Sequence, residues 1–290
     1  MLFGTTGTAQ ALGAHHVAPP IVGGLRIALG ASLLAGLALV RGRWTPIGAL
    51  LGSRRLLLAV VAMAGVAAYQ VFFFSGVATT GVALGTLVAI GSGPVCAGVL
   101  GFAIGERPSA RWAVATILAV FGGAVLLLAG RAADVVPLGV LLAFGAGISY
   151  AILTVAGRQL LATGTDGTDL VSVLFGGAAV LLLPLWVGRD LGPVATPSAL
   201  ATIAWLGVFA TAVPYPLFAR GLTKLPAATV TTLTLAEPLT ATLLAVVVLG
   251  ERPGPLGWLG AALITAGLLV VARTPRPPAP SEPMADREDL

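Results

Sequence analysis

Glu237 is the carboxylate lying deepest inside an apolar run of this sequence, with Thr234 three residues before it and Thr240 three after. On a helix those steps put two hydroxyls and a carboxylate on one stripe. A charge at the bilayer centre costs roughly 2.5–3.5 kcal/mol on insertion scales, so a residue kept there faces a cavity or a partner. The stripe suits a proton, a cation or a solute's ammonium group; the competing role is a carboxyl bonded to a neighbouring helix that only fixes packing. Pro238 follows directly, and Pro94 holds nearly the same place in the other half of the chain. A mid-helix proline frees the carbonyl four residues back, here those of Ile90 and Thr234, for a ligand or simply for a kink.

Pro214-Tyr215-Pro216 marks a second interruption, and the matching region of the first half reads Tyr69-Gln70-Val71-Phe72-Phe73-Phe74. Tyr69 and Phe73 share a helix face beside the Gln70 amide. With Tyr150, and with Trp205 as a further candidate, they form an expected cavity wall, although aromatics in membrane spans also pack or sit at interfaces. Arg26 is close enough to a span end to snorkel or to bond exposed carbonyls; its functional role would be attraction of an anionic group, and the structural role is favoured. Gly81-x-x-x-Gly85 and Gly101-x-x-x-Gly105 allow close helix approach. His15 and His16 are expected to be solvated, Cys96 cannot form an intramolecular disulfide, and no residue cluster suggests a metal or cofactor.

These residues need a membrane scaffold. The chain is 57% hydrophobic and only 9% charged, too apolar to cover a soluble globule. Continuous rather than alternating apolar runs favour helices, which satisfy their own backbone in lipid. Ten spans are expected, near residues 1–15, 20–40, 55–75, 79–104, 109–129, 136–157, 168–187, 197–220, 226–249 and 254–272. With the N-terminus inside, one side collects Arg41, Arg43, Arg54, Arg55, Arg107, Arg111, Arg158, Arg220 and Lys224, and the other only Arg131, Arg189 and Arg252. That partition follows the positive-inside rule, so the net charge of +5 is a topogenic signal and not a nucleic-acid footprint.

Gly105-Glu106-Arg107-Pro108 recurs as Gly250-Glu251-Arg252-Pro253, 145 residues later. The same offset superposes Gly76 on Gly221, Ala83 on Ala228 and Gly122 on Gly267. A duplication of five spans must insert its second copy upside down. The expected architecture is therefore an all-α integral membrane protein, a 5+5 inverted repeat with halves at 1–130 and 131–272 and a disordered cytoplasmic tail at 273–290. Phe3-Gly4 aligns with Phe144-Gly145, which makes the first helix about two turns short, through an upstream start codon or partial entry into the bilayer.

The Phe-Gly near the start of each half, Leu25-Arg26, Pro94 with Gly105-Glu106-Arg107, and Glu237-Pro238 with Gly250-Glu251-Arg252 make the chain resemble the EamA-type transporters of the drug/metabolite transporter superfamily. The likeness spans nearly the whole sequence, although the family often has Trp where Phe3 stands. It implies a ten-helix inverted repeat with both termini cytoplasmic that exports amino acids, metabolites or drugs, in some members with the proton gradient. The expected function is a secondary transporter exporting a small organic metabolite, an amino acid or an amphipathic or aromatic compound, by alternating access. Tyr69, Gln70, Phe73, Tyr150 and Thr234 would line the cavity and Glu237 would couple protons or bind a cation, with Pro94, Pro214, Pro216 and Pro238 as kinks. The partners are the solute, the lipid bilayer and protons, with no nucleic acid. Arg outnumbers Lys fifteen to one, a codon-bias hint of a GC-rich bacterium, and so of its plasma (inner) membrane. An enzyme acting on lipid or prenyl substrates would need an Asp-rich pair or a His motif that the sequence lacks; a membrane scaffold or sensor is the other alternative.

Overall fold

A computed structural model describes residues 2–40, 53–128, 136–186, 188–249 and 254–273. Arg41, Arg43, Arg131, Gly250-Glu251-Arg252-Pro253 and the tail beyond 273 lie outside them. After a 3-10 turn at Leu2–Thr5 come α1 (Thr6–Gly13), α2 (Pro19–Val40), α3 (Ser53–Thr80), α4 (Val82–Ala103), α5 (Ala110–Leu128) and α6 (Pro137–Leu161). Then follow α7 (Gly167–Leu182), α8 (Pro197–Gly207), α9 (Pro214–Leu222), α10 (Ala227–Leu233), α11 (Ala236–Leu249) and α12 (Pro255–Ala272).

Seven helical stretches among the described residues are long and apolar enough to cross a membrane: Pro19–Val40, Arg54–Thr80, Leu84–Ala103, Pro137–Leu161, Gly167–Leu185, Pro197–Leu222 and Pro255–Ala272. Ala110–Leu126 is a shorter apolar helix. The expected first span is only the 3-10 turn and the eight-residue α1, and the expected ninth is divided between α10 and α11. Val99, Ile117, Phe121, Leu141, Val180, Leu217 and Trp258 point outward, each at least half exposed. Such an apolar exterior suits lipid and would be unstable in water.

Helix ends are fixed by local chemistry. Asp166 caps α7 by accepting from the Thr168 and Asp169 amides at 2.7 and 3.3 Å, and Thr196 caps α8 ahead of Pro197. At the end of α4, Gly105 takes a left-handed φ of 85°. The Glu106 amide donates to the Gly101 carbonyl at 2.9 Å and the Gly105 amide to Phe102 at 3.1 Å. This is a Schellman stop. Gly101 and Gly105 therefore end a helix rather than let another helix approach, contrary to the expectation from their spacing. The stop sends Glu106 across to Arg158 on α6, with which it forms an ion pair.

Inside, α3 packs on α6, α8 on α1, α2 on α7, and α5 on α12. Glycine sets the last of these. A Cβ on Gly122 would lie 2.7 Å from the Ile264 amide nitrogen, and one on Gly267 2.6 Å from the Ala115 carbonyl oxygen. Side-chain hydrogen bonds also tie α5 to α10: Trp112 Nε1 donates to the Ala228 carbonyl and to Thr232 Oγ1, both at 3.0 Å, and the Thr116 and Thr232 hydroxyls share a bond of 3.0 Å. Trp112→Phe keeps the ring and deletes the donor, and is expected to cost about 1 kcal/mol. A thermal melt in detergent unchanged by the substitution would contradict that role for the indole.

Candidate functional site

The break in the expected ninth span falls beside the residue of greatest interest. At the end of α10 the Thr234 amide bonds to Thr231 at 3.3 Å, the Leu235 amide to Thr232 at 3.1 Å and the Glu237 amide to Thr234 at 2.9 Å, all reaching back three residues. The tightened turn starts a new helix at Ala236 and puts Glu237 in its first turn. There the helix dipole favours a negative charge. The division also corrects two expectations. Thr234 and Glu237 do not share one helical stripe, and the Thr234 carbonyl is not free, because the Glu237 amide occupies it. The Thr234 and Thr240 hydroxyls donate to the carbonyls of Thr231 and Ala236.

Pro94 has no such effect. The helix α4 runs through it unbroken, with Pro94 inside. The Ser92 hydroxyl bonds back to the Val88 carbonyl at 2.6 Å. Pro214 and Pro216 stand in the first turn of α9, immediately after a π-helical turn at Val208–Ala212. In that turn the Val213 amide and the Thr211 hydroxyl reach back five residues, to Val208 and Leu206. Proline fits at a helix start because its missing N–H would be unpaired there anyway.

An aromatic chain links five elements. Tyr69 stacks on Phe73 with centroids 5.2 Å apart and meets Tyr150 at 6.0 Å. Tyr150 reaches Phe218 at 5.8 Å, Phe218 reaches Tyr215 at 6.0 Å, and Tyr215 holds Phe175 at 4.4 Å and Phe3 at 5.0 Å, edge-on. Gly93 gives Tyr150 its room, since a Cβ there would lie 3.1 Å from Tyr150 Cδ1. The Tyr150 phenol also interacts with the Thr234 side chain. Glu237 lies within electrostatic range of Tyr69, Tyr150 and Tyr215. The structure thus brings Tyr69, Phe73, Tyr150, Thr234 and Glu237 together. Between α6, α7 and α9 a wholly apolar cavity of about 20 Å³ reaches Tyr215 and Phe218 from the side of Gly157 and Leu222.

Two residues depart from the sequence reading. Trp205 stands apart from the aromatic chain, 43% exposed, with its Nε1 donating to Thr5 Oγ1 at 3.0 Å. Arg26 does not snorkel: it is 3% exposed, donates from Nε to Gln70 Oε1 at 3.1 Å and lies 5.2 Å from the Phe74 ring centroid. Gln70 is accordingly a buried partner of Arg26, tied also to the Val66 carbonyl at 3.4 Å, rather than a lone amide on a wall. Sequence reasoning missed Asp169, buried in the first turn of α7. The expected 168–187 span already held Asp169 at its edge, and the capping Asp166 three residues earlier was the signal that puts it in the first turn of a buried helix. Phe218, Phe175 and Phe3 were also missed, since aromatics on separate elements show no common spacing.

A helical, multi-pass membrane protein whose interior gathers a carboxylate, a guanidinium and a file of aromatic rings belongs to the class of proteins that handle solutes within the bilayer. The model of the EamA-like transporter family matches residues 1–128 and 137–273. The chain belongs to that family and is a transporter. It is 39% identical over 275 residues to "Uncharacterized transporter YwfM" of Bacillus subtilis (strain 168), covering 94% of this chain and 91% of that protein. It is 29% identical over 220 residues to "Probable terminal-alkyne amino-acid exporter" of Streptantibioticus cattleyicolor, covering 75% and 73%. A solved crystal structure at 22% identity superposes with a TM-score of 0.78 over 93% of this chain and 92% of its own, which establishes a shared fold.

Proposed function

We propose that this protein is a secondary carrier of a bacterial plasma membrane that exports a small organic metabolite, an amino acid or a related amphipathic or aromatic compound, by alternating access. Ten crossings form two inverted halves, 1–130 and 131–272, with both termini cytoplasmic. The observation that carries the reading is the grouping of Glu237, at an interrupted helix, with an aromatic chain drawn from both halves. Interrupted spans at a repeat interface are where such carriers bind their solutes.

Helix pairing supports the inverted repeat. When each span is renumbered by five, α3 on α6 becomes α8 on α1, and α2 on the α8–α9 span becomes α7 on α3. The contacts of α2 with α7, α4 with α10 and α5 with α12 map onto themselves. The two stretches matched by the family model, of nearly equal length, support it too. An amino-acid-like solute is favoured by the name of the Streptantibioticus relative and by the rings around Glu237. The carboxyl would carry a proton, or hold the ammonium group of the solute, in one access state and release it in the other.

Counterflow tests the carrier directly. Proteoliposomes preloaded with a metabolite that thermally stabilises the purified protein should accumulate the labelled compound; absence of counterflow across a broad metabolite panel would defeat the proposal. The topology has its own check. In a Cys96→Ala background, single cysteines at 106 and 251 should react with an impermeant thiol reagent from opposite sides. Labelling from one side would end the inverted arrangement.

A further inference from the structure

Arg26 is buried, yet its hydrogen bonding to the described residues is confined to Nε, which donates to Gln70. The two Nη groups have no hydrogen bond to any described residue. Gln70 is held in turn through Val66, and Phe74 lies under the guanidinium, so the fork is fixed with its Nη edge unused. The field of Arg26 reaches Glu237, Tyr69 and Tyr215. Arg26 and Glu237 nevertheless form no ion pair. A buried guanidinium that attracts a carboxylate without touching it, and leaves two Nη groups undirected, keeps donors for an anionic partner.

We propose that Arg26 is the anchor for a carboxylate of the transported solute, that Gln70 is the positioning residue that aims it, and that Arg26 and Glu237 together select zwitterions. The proposal rests on the reading of Glu237 as the cation-binding group. A guanidinium whose Nε is occupied offers its two Nη groups side by side, a bidentate match for a planar carboxylate. One cation opposite one anion also leaves the site neutral overall. A dianionic phosphate would gain one partner and meet repulsion from the other, whereas a solute bearing an ammonium and a carboxylate satisfies both. Tyr69, Phe73 and Tyr150 then supply the surface for an apolar side chain.

The test compares compounds differing by one charged group. Purified protein in lipid nanodiscs is titrated with L-phenylalanine and L-leucine, with their decarboxylated amines (2-phenylethylamine and isoamylamine), with their deaminated acids (3-phenylpropanoate and 4-methylpentanoate), and with inorganic phosphate. At least one amino acid should bind more tightly than both of its single-charge analogues by roughly tenfold or more, the scale of one charge-assisted contact. Gln70→Glu, nearly isosteric, gives Arg26 an internal carboxylate and should erase the preference for amino acid over amine while amine binding persists. Arg26→Gln should do the same, and Arg26→Lys should retain only part of the preference. A merely structural Arg26 would lower stability without changing these ratios. The inference is overturned if the wild-type protein binds amine and amino acid equally, if Gln70→Glu and Arg26→Gln leave the ratio unchanged, or if phosphate displaces the amino acid. Amine binding that disappears in Glu237→Gln would, in that event, leave the carrier reading standing; binding of none of the compounds overturns the zwitterion site, and counterflow then decides the carrier reading separately.

Discussion

Glu237→Gln should cut proton-driven efflux from proteoliposomes sharply while the protein stays folded. The substitution preserves shape and removes the charge. Glu237 stands in the first turn of α11 beside Pro238, and its amide already closes the turn onto Thr234, so the backbone at the break does not depend on the side-chain charge. The lost interaction with a charged partner, about 1.5–3 kcal/mol, corresponds to a fall in coupled flux of roughly tenfold to a hundredfold. Exchange of a solute without an ammonium group should survive better than net efflux driven by a pH gradient. Efflux that keeps its full dependence on the gradient in Glu237→Gln would remove Glu237 from coupling and leave a uniporter or exchanger.

The largest loss of stability is expected at the seam of α5 and α12. Gly122→Val and Gly267→Val each place side-chain atoms where the backbone of the opposite helix already lies, 2.7 and 2.6 Å from a Cβ alone. Backbone cannot yield as a flexible side chain does, so the cost belongs at or above the upper end of ~1–3 kcal/mol for overpacking. Gly36→Ala in α2 is the control, because its Cβ would meet nothing within 4 Å; better helix propensity should leave it neutral or slightly stabilised, by up to about 1 kcal/mol. Thermal unfolding in detergent micelles compares the three variants. Equal melting temperatures would mean that the helices separate at that seam without penalty.

Much of the helical framework was legible because lipid imposes a simple rule: an apolar run must close its own hydrogen bonds. Gly122 and Gly267 stood out through their shared offset, and both fall on one helix seam. The division of the ninth span was not legible. Proline marks a lost donor, but whether a helix bends, breaks or continues depends on its neighbours, and Pro94 and Pro238 took different courses. The site was only half visible for a related reason. Tyr69, Phe73 and Tyr150 could be named from type and position, whereas Phe3, Phe175 and Phe218 joined them through tertiary contacts without a sequence period. Arg26 was misjudged because distance from a span end measures depth along the axis and not which way a helix faces.

The 3-10 turn at Leu2–Thr5 lies directly against the proposed coupling residue. A Cβ on Gly4 would be 3.0 Å from the Glu237 carbonyl oxygen, and Phe3 closes on Tyr215. Whatever displaces that turn therefore acts within a few residues of the centre. A bulkier residue at Gly4 would push on the backbone of α11 and report, at a distance from any solute, whether the turn moves during transport.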